Sequence, residues 1–595
     1  MPTDPSALIF LAAPKLSIGT LLLLGAFAGL MVVAWAYSNW RAAIKLAIVV
    51  ALLEGGIRKW VFPSGQELVY FLKDGILLGA YLRVLFGNEP EFRLTHLKLA
   101  ANEILILCII IGLGALNPNF GSPLQGLFGL KMYFMYLPLV FIMPRLFRSE
   151  EEAVRQLTWF LWIAVPICLL GLAQWKAGPD SPLNVYANMA EGGRGPAGFG
   201  FGNKVRITGT FSYIAGHTTF LLFFTGLSLA LLSEHKTKLP WLIVATIIPL
   251  LLGNTLMNGS RALIFIIGVV FTVFAFFGFT GQIGQGTKFR SILITGVAMG
   301  VIVVSYLFVD AYFYLSQRFL RAGDSVSDRT TAWHTRSLEH AISGAGVFGY
   351  GLGITFPASG SLAAALKLPP PKEHPPLMES EPGQIWMENG PLGFLSWYGT
   401  RAILILALFS AYHQARTPFQ RSMALLAATI SIIYLIAQIA GNHTANILIH
   451  ALIGLALVPL LESTVPRPRT SPRSLTPNHP LPPIRSSRVP RPIRSNNSPP
   501  LSATSSTPLL RSNPFAQQPF EASAKNGLHS FSEERAQQLQ PRTGSIASTK
   551  NRLSTLPSFV IRHSSSVIRH SSFVIRHSSF VIRHSSFVSR AERTE

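Results

Sequence analysis

The chain has 595 residues, of which 49% are hydrophobic and only 13% charged, with a mean hydropathy of +0.38 and a formal charge of +23. A soluble domain carries about 25% charged residues, so this composition excludes a particle that faces water on all sides. Nucleic-acid binding is excluded too: 19 Lys+Arg and 6 Asp+Glu, a net +13, lie from Glu462 onward, the rest lies mostly in short loops, and no basic face with stacking aromatics marks a folded domain.

In chain order, apolar runs near the length that crosses a hydrocarbon core predict about 12–13 spans. They lie near residues 17–37, 42–57, 67–86, 97–116, 124–143, 156–175, 211–232, 239–256, 261–280, 291–310, 391–412, 422–440 and 443–461. Backbone groups in lipid must be satisfied within the segment, so the runs are read as helices. The alternation of barrel strands is absent. The fold class is therefore an all-α, polytopic transmembrane helix bundle over 1–461. The first run is too long for a cleavable signal and stays as a helix. Loops with Arg145, Arg148 and Arg155, with Lys236 and Lys238, with Lys288 and Arg290, and with Arg416 and Arg421 are basic. They alternate with loops poor in Lys and Arg and are assigned to the cytoplasm. Two large loops, about 176–210 and 311–390, then fall in the periplasm of a bacterial inner-membrane protein. Both termini are cytoplasmic only if one of the first three runs is not a span. The run at 42–57, with its charged end Glu54-Gly-Gly-Ile-Arg58-Lys59-Trp60, is the one expected to lie in the interface.

After Leu461 the composition turns to Pro, Ser, Arg and Thr, which predicts a disordered, basic, cytoplasmic tail over 462–595. A seven-residue unit, Phe559-Val-Ile-Arg-His-Ser-Ser, recurs over 559–590, with Arg562, Arg569, Arg576, Arg583 and Arg590 in period. Three adjacent apolar residues do not make a coiled-coil seam, so the repeat is read as a low-complexity extension. Cys108 and Cys168 lie in apolar runs with no partner at disulfide or metal-ligand spacing, and no metal or cofactor is expected.

Ionisable residues beside a span are costly and are functional candidates. Arg206, in Arg-Ile-Thr-Gly-Thr-Phe, Arg261, after Asn-Gly-Ser, and Arg329, in Asp-Arg-Thr-Thr-Ala-Trp, share one predicted side. Arg318, Arg321 and Arg336 flank Arg329. Forked guanidinium donors match phosphate oxygens, so this side suits a lipid-linked diphosphate. Phe348-Gly-Tyr-Gly-Leu-Gly353 lacks a βαβ setting and reads as a turn for close backbone packing, not a dinucleotide loop. Glu379, Glu381 and Glu388 precede a span and offer a general base for a sugar hydroxyl, or else ordinary helix-start acids. His217, His340 and His374 lie on the same side, as secondary base candidates or structural histidines.

Four stretches, Arg206 to Phe211, Gly259 to Ala262, Arg329 to Gly353 and Glu379 to Gly393, together resemble the O-antigen ligase and O-antigen polymerase superfamily. Glu54 to Trp60 followed by Leu72-Lys73-Asp74 is similar to a subgroup associated with exopolysaccharide polymerisation. The resemblance covers roughly residues 40 to 460. It implies an enzyme that transfers glycan from undecaprenyl diphosphate, at the periplasmic face, to a sugar hydroxyl on lipid A-core or another repeat unit. Neither nucleotide sugar nor metal takes part. Arg206, Arg261 and Arg329 would hold the diphosphate. Ligases of the family carry a His-Asn pair before the motif that stands here as Glu388-Asn-Gly-Pro-Leu-Gly393. Glu379 occupies that place and His374 lies further upstream. Glu379 or Glu381 is therefore expected as base, and a polymerase-like member is favoured. A transporter or flippase of lipid-linked glycans and a non-catalytic scaffold are the competing readings.

Overall fold

The computed structural model describes residues 18–461, apart from 88–96, 98, 188–194, 201, 234–242, 285–289, scattered positions in 292–305, 321–332, and 357, 358, 361, 362, 365, 377 and 379. The tail at 462–595 and its repeat lie outside the described residues, and so do Arg321, Arg329 and Glu379. All described residues belong to one unit, Met1–Pro477.

The described residues are mostly helical and form no β-strand, only two isolated bridges, Leu97 with Leu461 and Gly198 with Val205. The helices are α1 (Ile18–Ser38), α2 (Trp40–Gly56), α3 (Gln66–Phe86), α4 (Ala101–Gly112), α5 (Pro123–Phe134), α6 (Leu139–Ile142), α7 (Glu150–Leu161) and α8 (Ala164–Lys176). After the first large loop come α9 (Ile214–Leu232), α10 (Ile248–Asn258), α11 (Arg261–Phe279), α12 (Val309–Leu320), α13 (Trp333–Gly344), α14 (Glu381–Gln414), α15 (Pro418–Ile433) and α16 (His443–Ala456). Five segments are long and apolar enough to cross a membrane: Pro123–Arg145, Glu150–Lys176, Ile214–Leu232, Arg261–Phe279 and Glu381–Gln414. The run at 42–57 is a regular helix, α2, that passes through a π-turn at Ile57–Val61. The run at 291–310 is described only in part.

The caps follow from the sequence. Ser122, Ser149, Ser260, Ser380, Thr417 and Asn442 each accept a backbone N–H at a helix start with their side chains. Helix α9 is the hub, buried almost all round against α10, α11, α15 and α16. Outer faces carry exposed Leu30, Met31, Leu105, Ile109, Phe265, Phe276, Leu395 and Leu406. So much apolar surface on the outside of a packed bundle fits a lipid bilayer.

The two ends differ. At one end Glu150 accepts from Thr417 and Gln420 at 2.9 and 2.8 Å, and Tyr412 donates to Gln282 at 2.7 Å. The other end gathers the close of α2, α8, α10 and α15 with the start of α3, α9, α11, α14 and α16. There Thr210 donates to the Leu52 carbonyl, Arg206 to that of Asn258, and Asn442 to Thr219. Arg206, His217, Arg261 and Glu381 belong to helix starts or loops of this second end.

Candidate functional site

The segment Arg206–Ser212 is held in place before α9 begins. Gln174, in the last turn of α8 and fully buried, accepts from the N–H groups of Thr208 and Gly209 at 3.1 and 2.8 Å. Its amide donates to the Gly209 carbonyl at 3.1 Å. Asn258 closes α10 and donates to the Ile207 carbonyl at 3.4 Å, while its side-chain oxygen accepts from Thr218 at 3.2 Å. The next residue, Gly259, turns the chain at φ +68° with its Cα against Phe199 and Arg206, a place closed to a side chain. Ser260 then caps α11, and Arg261 is its first residue.

This geometry brings three guanidinium groups together. Arg206 Nε donates to the Asn258 carbonyl at 2.8 Å. Arg318, on α12, donates to the Gly198 carbonyl at 3.4 Å, next to the Gly198–Val205 bridge that leads into Arg206. Burial, and after it the positive charge of Arg318, pushes Arg206 down to about 10; Tyr186 opposes this and Arg261 adds a smaller push in the same direction. None of the groups that shift Arg206 is a carboxylate. The positive end of α11 adds to the same field. Arg261 and Arg318, the latter expected only as a flank, both act on Arg206 by their charge. Arg336 is exposed on α13. His217 is completely buried, with Nδ1 against the Ile207 carbonyl and Asn258, and supports the segment from below.

The carboxylates do something other than face solvent. Glu381, expected as a base, is buried at the start of α14 and fully engaged. Its Oε1 accepts from Arg401 and from Trp397 at 3.1 Å each, and its Oε2 from the backbone N–H of Ile439. Glu388 is buried as well. It accepts from Tyr133 at 2.5 Å, Gly353 N–H at 3.0 Å, Thr355 N–H at 3.1 Å and the Thr355 hydroxyl at 2.6 Å. The Thr355 hydroxyl in turn accepts from Gln384 at 2.8 Å, and Gln384 from Gln438 at 2.7 Å. This chain of bonds pins the second large loop onto α5 and α14 and uses all four sites of a carboxylate. His374 and His340 are exposed.

The glycine-rich stretch is the strap through which this happens. Gly349, Gly351 and Gly353 all have positive φ, and Leu352 and Gly353 lie against Gly129 of α5. Tyr350 and Gly351 donate to the carbonyls of Met387 and Glu388 at 2.8 and 2.9 Å. Those carbonyls are free because α14 breaks at Gly390, where φ is +63° and ψ −171°, ahead of Pro391. The close-packing turn read from the sequence is therefore present.

A charge ladder that the sequence reading did not assign lies beside the strap, inside the bundle. Lys73 pairs with Glu54 at 2.6 Å and Lys131 with Asp74 at 3.0 Å. Tyr136 donates to Asp74 at 2.7 Å, Lys73 to the Tyr70 carbonyl at 2.9 Å, and Tyr70 is hydrogen-bonded to His443. The Lys131 ammonium sits 3.9 Å from the Tyr70 ring centroid. The signal was available: Lys131 is a charge within an apolar run, and His443 opens another. No group of three or more His, Cys, Asp and Glu arranged for a metal occurs among the described residues.

No protein-family model matches the chain, and a search of curated proteins finds no significant match.

Proposed function

We propose that this chain is a membrane glycosyltransferase that takes a glycan from an undecaprenyl-diphosphate carrier and joins it to a sugar hydroxyl, as a polymerase or ligase. The observation that supports this reading is the crowding of Arg206, Arg261 and Arg318 at one end of the bundle, beside the start of α11. A diphosphate offers oxygens on two adjacent groups, which suits several forked donors.

In this reading the acceptor oxygen attacks the anomeric carbon. A new carbon–oxygen bond forms, the bond from that carbon to the phosphate oxygen breaks, and its electron pair stays on undecaprenyl diphosphate. The fixed guanidinium groups stabilise that charge as it develops. Arg206, Arg261 and Arg329 are assigned to the donor. The acceptor proton goes to a carboxylate. With Glu381 engaged by Arg401 and Glu388 by the loop, Glu379 is the one assigned to it. The reaction runs at the periplasmic face of the bacterial inner membrane, with the arginine end outward and the tail in the cytoplasm.

A second reading, a transporter or flippase of the same lipid-linked glycans, is favoured by one observation. Lys73 and Asp74 of α3 and Lys131 of α5 form ion pairs inside the bundle, the kind of buried charge that transporters use for coupling. The test is to incubate the full chain in nanodiscs with undecaprenyl-diphosphate-linked repeat units and follow lipid and glycan by gel and mass spectrometry. Longer lipid-linked chains with freed carrier support the polymerase. Freed carrier only on adding lipid A-core supports the ligase. Movement across proteoliposomes with no freed carrier supports transport and overturns glycosyl transfer.

A further inference from the structure

Two of the stretches that carry the resemblance touch each other, and the contact gives the one without an assigned role a task. Gly55, near the end of α2, lies directly against the backbone of Thr210, Phe211 and Ser212, and Gly56 faces Trp60 and the Thr210 side chain. Thr210 donates to the Leu52 carbonyl at 2.5 Å and Arg58 donates to the Ser212 hydroxyl at 3.2 Å. Lys59 reaches furthest. Its ammonium donates to the Thr208 hydroxyl at 2.8 Å and to the Gly209 carbonyl at 3.3 Å, two and three residues past Arg206.

Lys59 is unusual among the buried charges described above. Lys73 and Lys131 have carboxylate partners. Lys59 is 7% exposed, and its hydrogen bonds go to a hydroxyl and a carbonyl. Among the described residues no carboxylate lies within ion-pair distance of it. The ammonium has the Trp60 ring 5.1 Å away but no counter-charge, which is unfavourable for a buried cation, and burial depresses its proton affinity. A methionine of similar size would be easier to bury there. Folding alone does not account for a lysine at this position; a task next to Arg206 does.

We propose that Lys59 is a positioning residue of the arginine site, which fixes the Thr208–Gly209 backbone so that Arg206 points its guanidinium at a bound diphosphate. The proposal rests on the reading of that site as a diphosphate site. It makes Glu54–Trp60 the backing of the site and explains the neighbouring glycines, since a Cβ at Gly55 would collide with the segment that Lys59 holds.

The test uses the full chain in nanodiscs and farnesyl diphosphate as the probe, titrated at fixed low salt, for the wild type, Lys59→Met, Lys59→Arg, Thr208→Val, Arg206→Lys and the Lys59→Met/Arg206→Lys pair. The expected result is a roughly tenfold weaker binding for Lys59→Met and Arg206→Lys, and a smaller loss for Thr208→Val, which keeps the charge but removes its hydroxyl acceptor. The pair binds no more weakly than the worse single variant, because both changes misplace one group. Lys59→Arg recovers part of the loss. Size exclusion reports folding; if Lys59→Met does not fold, Thr208→Val and its pair with Arg206→Lys decide. Unchanged binding in Lys59→Met and Thr208→Val, or fully additive losses, overturns the positioning role while the site stands. Unchanged binding in Arg206→Lys overturns both the site and the role.

Discussion

Tyr350 donates its backbone N–H to the carbonyl of Met387 at 2.8 Å, the hydrogen bond that Pro391 cannot make within its own helix. A helix broken in lipid needs outside donors for its stranded carbonyls. Here the second large loop supplies them, and Glu388 fastens the same loop by its side chain. The break is therefore the place where loop and bundle become one body.

Replacing Glu388 by Ala strands the donors of Tyr133, Gly353 and Thr355 in a buried site. The expected cost is about 3–5 kcal/mol, in the range for breaking a buried charged network. Glu388→Gln keeps one acceptor oxygen and should fall between Ala and wild type. Thermal stability followed by fluorescence-detected size exclusion checks the order; an unchanged midpoint in Glu388→Ala refutes it.

The Glu54–Lys73 pair makes an asymmetric prediction. Glu54→Gln leaves Lys73 buried without its counter-charge and should destabilise by about 3–5 kcal/mol. The double replacement Glu54→Gln/Lys73→Met should recover most of that loss, since it removes the stranded charge. A double variant as unstable as the single one would show that packing, and not charge, sets the cost.

At the arginine site, Arg206→Lys and Arg261→Lys keep the charge and lose the fork. Each should lower kcat/KM for glycosyl transfer by about 10- to 100-fold, the worth of a charge-assisted bidentate contact. Full activity in both would exclude forked phosphate contacts.

Lys59 gives a pH dependence. Burial lowers it to about 7, whereas an exposed lysine titrates near 10.4. Between these values the unfolded chain holds a proton that the folded chain has released. Stability should therefore rise with pH from about 7 to 10, by at most about 1.4 kcal/mol per unit, and Lys59→Met should flatten that rise. Denaturation midpoints at pH 7, 8 and 9 for both proteins are the measurement. A slope that survives in Lys59→Met belongs to another group.

Apolar runs were legible in the sequence because they depend on neighbours along the chain. Lipid demands helices of a given length. The apolar runs led to the helical bundle and most helix positions, and the glycines of Phe348–Gly353 to the packing turn. The partner of each buried charge was decided only in three dimensions. Glu381 reads as a free acid beside a helix start, yet Arg401, beyond the break at Gly390, takes one oxygen and the Ile439 backbone the other. Lys59 reads as an interface cation, yet it holds the segment next to Arg206. A charge in a low-dielectric bundle is settled by whichever donor or acceptor lies a few ångströms away, and spacing along the chain does not encode that distance.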